Sequence, residues 1–303
     1  MEILSVKNLS KSFGANKVID NISFAVPEGC VFGFIGANGA GKTTTMKMIL
    51  GLLPADTGEI CVCGERVSFG ATKTNRHIGY LPDVPEFYGY MRPKEYLRLC
   101  GEIVGLTSDE INQRVSELLE VVGLADANKK ISSFSRGMKQ RLGMAQALLN
   151  EPRLLVCDEP TSALDPIGRK EILDILKQIG KKTTVIFSTH ILSDVERICD
   201  RVAVISGGNI AMLGTLAELR ARHKADSILV EFASLSDKDK FAEIAESLME
   251  KAVSAETEIT LHVTDISSAQ REVLRILSAN DILPLKVEVQ EPTIESLFLE
   301  VSQ

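Results

Sequence analysis

The sequence predicts an α/β fold with a mixed-sheet core, followed by a small α+β domain. Three observations point that way. Unbroken apolar runs at Val31 to Ile35, Leu154 to Cys157 and Thr184 to Phe187 are of the kind buried on both faces of a parallel sheet. Helical periodicity occupies the stretch between Arg92 and Leu149. Near His223-Lys224-Ala225-Asp226 the composition shifts, and a new set of strand-like and helix-like segments begins.

Taken in order, the first thirty residues alternate like an antiparallel sheet, with Ile3 to Val6 and Ile22 to Val26 as strands. Gly14-Ala15-Asn16 supplies turn chemistry between them. Val31 to Ile35 leads into a glycine-rich loop, and Thr44 to Leu50 reads as the helix behind it. Ile60 to Cys63 followed by Gly64-Glu65 is a short strand and turn. A capping Ser108 or Asp109 then opens a helix whose Ile111, Val115, Leu118, Leu119 and Val122 share one face. Val202 to Ile205 before Gly207-Gly208 is a further strand and turn. The boundary divides the chain into domains of 1–224 and 225–303, with a helical part at about 84–150 inside the first. In the second domain, strands at Ser227 to Phe232, Ile259 to Val263 and Leu283 to Val289 accompany helices at Lys238 to Lys251 and Ser267 to Ala279.

A chain of 303 residues with 45% hydrophobic composition can bury a large core and support a second, smaller domain. No run approaches the roughly 18 apolar residues of a membrane span, and the N-terminus carries no secretory signal. A cytosolic protein that does not itself cross a membrane is expected. The six cysteines are scattered, mostly within apolar segments; Cys61 and Cys63 are too close for a zinc knuckle and lack a second pair. Buried, reduced thiols are expected. The net charge of −7 is uneven: from Ala225 onward 16 acidic residues face 6 basic ones, leaving the remainder mildly positive. An acidic end and no dense Lys/Arg cluster argue against nucleic acid as a partner.

The chemistry concentrates in Gly36-Ala37-Asn38-Gly39-Ala40-Gly41-Lys42-Thr43-Thr44. Small residues let backbone N–H groups surround an anion, and the helix that follows adds the positive end of its dipole. Lys42 can then reach β- and γ-phosphates, while the Thr43 hydroxyl can ligate Mg²⁺. Downstream, Arg153 to Pro160 places Asp158 and Glu159 at the end of a buried strand, the first suited to Mg²⁺ and the second to polarising an attacking water. Ser135-Arg136-Gly137-Met138 is a second helix start able to meet an anion, and one nucleotide in one chain does not need both.

Together, and in order from about residue 2 to 222, these segments resemble the ATP-binding cassette (ABC) ATPases. The resemblance implies a P-loop cassette with an antiparallel β subdomain and a helical subdomain. It implies ATP and Mg²⁺ as ligands, held by Gly36, Asn38, Gly39, Ala40, Gly41, Lys42, Thr43 and Thr44. Ser135 and Gly137 match the signature that completes a second subunit's ATP site, with Arg136 and Met138 departing from the commonest form. Asp158 and Glu159 match the Mg²⁺ site and the catalytic glutamate. Ser162 to Asp165 matches the loop that contacts a second subunit, His190 the switch histidine, and Phe13 the aromatic ring stacked on adenine.

One position departs further. Ile78-Gly79-Tyr80-Leu81-Pro82-Asp83 looks like the loop that usually ends in glutamine and faces the membrane partner. A carboxylate there accepts but cannot donate, so Asp83 is expected to join Thr43 and Asp158 around the metal. The implied function is the ATP-hydrolysing subunit of an ABC transporter, with Glu159, His190 and Lys42 catalytic. It is expected to act as a homodimer or paired cassette beneath integral-membrane permease subunits on separate chains, peripheral on the inner face of the cell membrane. The variant signature and the ending at Glu291 to Glu300 look like the bacitracin- or daunorubicin-type exporter branch. The competing readings are a soluble ABC ATPase working on ribosomes or DNA, and a nucleotide-gated regulatory module.

Overall fold

In the computed structural model the described residues are 1–71, 73–222, 227–263 and 265–290; the expected boundary at 223–226 and the ending at 291–300 lie outside them. The chain divides into two compact units, Met1–Leu216 and Ala217–Gln303.

The first unit begins with a long hairpin, β1 (Glu2–Phe13) and β2 (Asn16–Pro27), closed by Gly14 and Ala15. The hydrophobic alternation sets its register, with Leu4 opposite Val26 and Val6 opposite Phe24. β3 (Val31–Gly36) is buried at every residue and runs into α1 (Lys42–Ile49). β4 (Thr57–Val62) returns to pair with β1 and turns at Cys63 and Gly64, both at positive φ, into β5 (Glu65–Arg66). β6 (Ile78–Leu81) precedes three helices, α2 (Pro93–Ile103), α3 (Ser108–Val121) and α4 (Arg136–Leu148). Then come β7 (Leu154–Asp158), α5 (Pro166–Ile179), β8 (Thr184–Thr189), α6 (Leu192–Ile198), β9 (Arg201–Ser206) and β10 (Asn209–Thr215); α7 (Leu216–Arg222) follows and leads the chain into the second unit.

The sheets have strand orders β2-β1-β4-β5 and β10-β9-β3-β8-β7-β6. The second is mixed: β9, β3, β8, β7 and β6 are parallel neighbours and only β10 runs antiparallel. β3, β7 and β8 have no exposed residue, which is why they read as apolar runs without alternation. The two sheets share a core. Phe24 of β2 stacks on Phe32 of β3 at 5.8 Å between centroids and meets Phe34 at 5.3 Å, with Met46 and Ile49 of α1 in the same cluster. Each such buried side chain contributes about 1.5–3 kcal/mol.

The α3 face forms as its spacing predicts, with Ile111, Val115, Leu118, Leu119 and Val122 all buried. Its cap is neither Ser108 nor Asp109 but Thr107. The Thr107 hydroxyl accepts from the Glu110 N–H, and the Glu110 carboxylate accepts from the Thr107 N–H at 2.7 Å. Arg114 on α3 donates to the Leu148 and Leu149 carbonyls that end α4, fixing α4 by its negative pole. The segment read as a loop at 78–81 is a parallel edge strand. Gly79 is needed there because an added Cβ would overlap the Ala147 carbonyl of α4.

The second unit is an antiparallel sheet, with α8 (Leu235–Ile244) and α9 (Ile266–Ala279) sharing its core. Its strands are β11 (Ser227–Phe232), β12 (Ala252–Ser254), β13 (Glu258–His262) and β14 (Pro284–Gln290), in the order β12-β13-β11-β14. Ile228, Val230, Phe232, Ile259 and Leu261 pack with Phe241, Val273, Ile276 and Leu277. The helix expected to run to Lys251 ends at Ile244 and continues as a 3₁₀ segment, Glu246–Lys251, feeding a short β12 that periodicity does not reveal. No helix among the described residues is long and apolar enough to cross a membrane. All six cysteines are free, but only Cys30, Cys157 and Cys199 are buried; Cys61, Cys63 and Cys100 are partly exposed.

Candidate active site

The parallel strands β3, β7 and β8 end side by side, and their carboxyl ends bring the candidate residues together. β3 delivers the glycine loop. Gly39 and Gly41 hold φ values of 83° and 103°, where a side chain is strained. Gly36 is close-packed, since an added Cβ would meet the Ile205 carbonyl oxygen at 2.8 Å. Ala37 and Asn38 are exposed and Ala40 partly so, its N–H closing a turn on the Ala37 carbonyl at 3.1 Å. The helix starts at Lys42 rather than Thr44, because Gly41 is its N-cap in a left-handed conformation.

Lys42 is buried, and its ammonium donates to the Gly36 carbonyl at 2.8 Å and the Ala37 carbonyl at 3.2 Å. It also pairs with Glu159 Oε1 at 3.0 Å. The other carboxylate oxygen, Oε2, lies 2.9 Å from His190 Nδ1. Glu159 is held at φ 47°, sparsely populated for a residue with a side chain. Its N–H donates to Ser188 Oγ at 3.0 Å. Beside this cluster, Asp158 Oδ1 accepts from Thr43 Oγ1 at 3.1 Å and from Ser188 Oγ at 2.6 Å. Burial, with Asp158 and Asp83 nearby, pushes the Tyr80 phenol up to about 12.

Five sequence candidates therefore meet: Lys42, Thr43, Asp158, Glu159 and His190. Ser188 is a functional neighbour that motif reading missed, although a serine inside an otherwise apolar strand was the available signal. Among the described residues, Phe13, Ser135, Gly137 and Asp83 have no hydrogen bond to this cluster. Phe13 ends β1 half-exposed, with the Lys11 ammonium 5.5 Å from its ring centroid. Ser135 caps α4, accepting from the Met138 N–H at 3.2 Å. Gly137 is not required by its own chain, since an added Cβ would meet only Leu164 at 3.9 Å.

Asp83 has partners of its own on α4. Its carboxylate pairs with Arg136 Nη2 at 3.0 Å, and its backbone carbonyl accepts from buried Gln140 Nε2 at 2.7 Å. A charged guanidinium at the first helical position of α4 thus pairs with the acid that the sequence places near the metal. The remaining oxygen donors, Thr43 and Asp158, suit Mg²⁺, which takes one or two protein oxygens and completes its shell with phosphate and water. Among the described residues no cluster of three or more His, Cys, Asp or Glu side chains forms an all-protein metal cage. A depression of about 780 Å³ lined by Gly29, Arg153 and Thr184 lies at the amino ends of the same strands and is no part of this site.

Known proteins share the sequence pattern and the fold. A family model described as ABC transporter matches residues 19–162, and one described as ATP-binding protein DrrA1-3-like, C-terminal domain, matches residues 214–302. The linearmycin resistance ATP-binding protein LnrL of Bacillus subtilis is 36% identical over 99% of this chain and 98% of its own length. The bacitracin transport ATP-binding protein BcrA of Bacillus licheniformis is 34% identical, covering 99% of this chain and 97% of its own. Among solved structures, an ATP-binding subunit of an ABC transporter superposes with a TM-score of 0.66 at 35% identity, covering 73% of this chain and 92% of that one. The ADP conformation of the cassette MJ1267 gives 0.66 at 26% identity, over 72% and 92%.

Proposed function

The chain belongs to the ATP-binding subunits of ABC transporters, which bind Mg²⁺ and hydrolyse ATP, and from that premise we propose that it powers export of antibiotics or similar compounds through separate membrane-spanning chains. In this reading it sits peripherally on the inner face of the cell membrane. The observation that carries the mechanism is the contact of Glu159 with Lys42 through one oxygen and His190 through the other.

That contact makes the base conditional on substrate. While the Lys42 ammonium sits on Oε1, that oxygen is not open to a water molecule. Phosphate oxygens in the loop compete for the ammonium, and Oε1 is then free to accept a proton from the attacking water. His190 keeps Oε2 and with it the orientation of the carboxylate. Thr43 and Asp158 would hold Mg²⁺, which supplies neutralisation of phosphate charge. Loop N–H groups from Gly39 to Thr43, with Lys42, stabilise charge on the transferring phosphoryl group. Phe13 offers its exposed ring to the base. Ser135 and Gly137, exposed or open and apart from the cluster, complete the site of a second copy, so that ATP closes a head-to-tail dimer.

Glu159→Gln tests this. Light scattering should show an ATP-dependent dimer that persists, with turnover reduced on the order of 10²–10⁴-fold. Hydrolysis within threefold of wild type would remove Glu159 from the role.

A further inference from the structure

Glu159 and Ala163 both adopt left-handed backbone, at φ 47° and 52°. Non-glycine residues stay in such conformations only where their surroundings over-determine them. Midway between the two stands Thr161, 2% exposed, whose hydroxyl donates to Asp194 Oδ2 at 2.7 Å. Asp194 is itself 1% exposed and lies on α6, four residues after His190. Its other oxygen accepts from Arg169 Nε of α5 at 2.5 Å, and Arg169 Nη2 donates to Ser193 Oγ at 2.7 Å. The α6 start is tied back to β8, because the Ile191 N–H donates to Thr189 Oγ1 at 3.0 Å.

One buried carboxylate thus holds the turn that carries Glu159 against the turn that carries His190. We propose that Asp194, acting through Thr161, is a positioning residue for ATP hydrolysis: it fixes the Glu159 carboxylate relative to His190 and the loop that follows. This rests on the catalytic roles proposed above for Glu159 and His190. Arg169 neutralises the buried charge, which would otherwise be costly to keep. The ion pair alone would only join α5 to α6. The Thr161 hydroxyl extends that anchor to the catalytic turn, so Thr161 separates positioning from mere packing.

The test uses the full chain with Thr161→Val, which removes the donor at nearly constant volume, and Thr161→Ser, which keeps it. For Thr161→Val we expect kcat to fall about 10–100-fold, the loss that about an ångström of misplacement produces. The KM for ATP should stay within about twofold, since the phosphate loop is untouched, and Thr161→Ser should recover most of the rate. Asp194→Asn should match Thr161→Val in its KM and kcat pattern; if it fails to fold, the Thr161 pair decides. A Thr161→Val enzyme with wild-type kcat, or a loss that serine does not rescue, overturns the proposal. Glu159→Gln measured alongside keeps the two readings apart. Normal hydrolysis there would sink the catalytic assignment, whereas an inactive Glu159→Gln beside a fully active Thr161→Val sinks only the positioning role.

Discussion

Replacing Gly41 by alanine probes the phosphate loop through a cost that can be worked from its geometry. Gly41 sits at φ 103°, and an added Cβ would overlap Ile19 Cδ1 and lie 3.2 Å from the Val18 carbonyl oxygen. The conformational part costs about 1–3 kcal/mol. Crowding adds a further ~1–3 kcal/mol. The Ile19 methyl can swing aside, but the Val18 carbonyl belongs to a paired strand and cannot, so about 3 kcal/mol in total is expected. For a domain of this size that lowers the melting temperature by roughly 6–12 °C. Gly39 is the internal control: at φ 83° it has nothing within 4 Å of an added Cβ, so alanine there pays only the conformational part. Calorimetry on both variants, with binding of a fluorescent ATP analogue, reads the difference. Both should bind nucleotide more weakly, and Gly41→Ala should melt clearly below Gly39→Ala. Equal melting of the two, or wild-type ATP affinity in Gly41→Ala, would refute the reasoning.

Two further outcomes follow from the site and the core. Because Asp83 is engaged by Arg136 and both groups are partly solvated, Asp83→Gln should cost no more than about 1 kcal/mol of stability. It should also leave the Mg²⁺ concentration for half-maximal ATPase activity within about twofold of wild type; a several-fold shift would return Asp83 to the metal. Burial pushes the Cys30 thiol up to about 11 and raises Cys157 and Cys199 as well. Alkylation needs the thiolate. At pH 8 these three should therefore stay unlabelled by iodoacetamide in the folded protein, with Cys30 labelling faster as pH rises toward 11. All six should label once the chain is unfolded, and rapid native labelling of Cys157 read by mass spectrometry would contradict this.

What was legible in the sequence follows from where the controlling forces lie. The runs that became β3, β7 and β8 carry their burial in their own composition. The glycine loop carries its backbone conformation in residues that tolerate positive φ. Boundaries set by a neighbour were missed: β6 becomes a strand because β7 pairs with it, and α1 starts two residues early because Gly41 caps it. A proline-and-acid segment such as 82–83 gives no sign of which cation it will meet.

The sequence by itself determined the phosphate loop and the paired acids, and through their resemblance to the ABC family an ATP-hydrolysing cassette, because each is a short run whose chemistry needs only adjacent residues. Tertiary structure alone decided which side chains share a charge. Lys42 and His190 divide the two oxygens of Glu159, Arg136 pairs with Asp83, and Asp194 reaches the Thr161 turn from α6. Coulombic and hydrogen-bond partnerships act over a few ångströms of space, and spacing along the chain does not encode that distance until the sheet has folded.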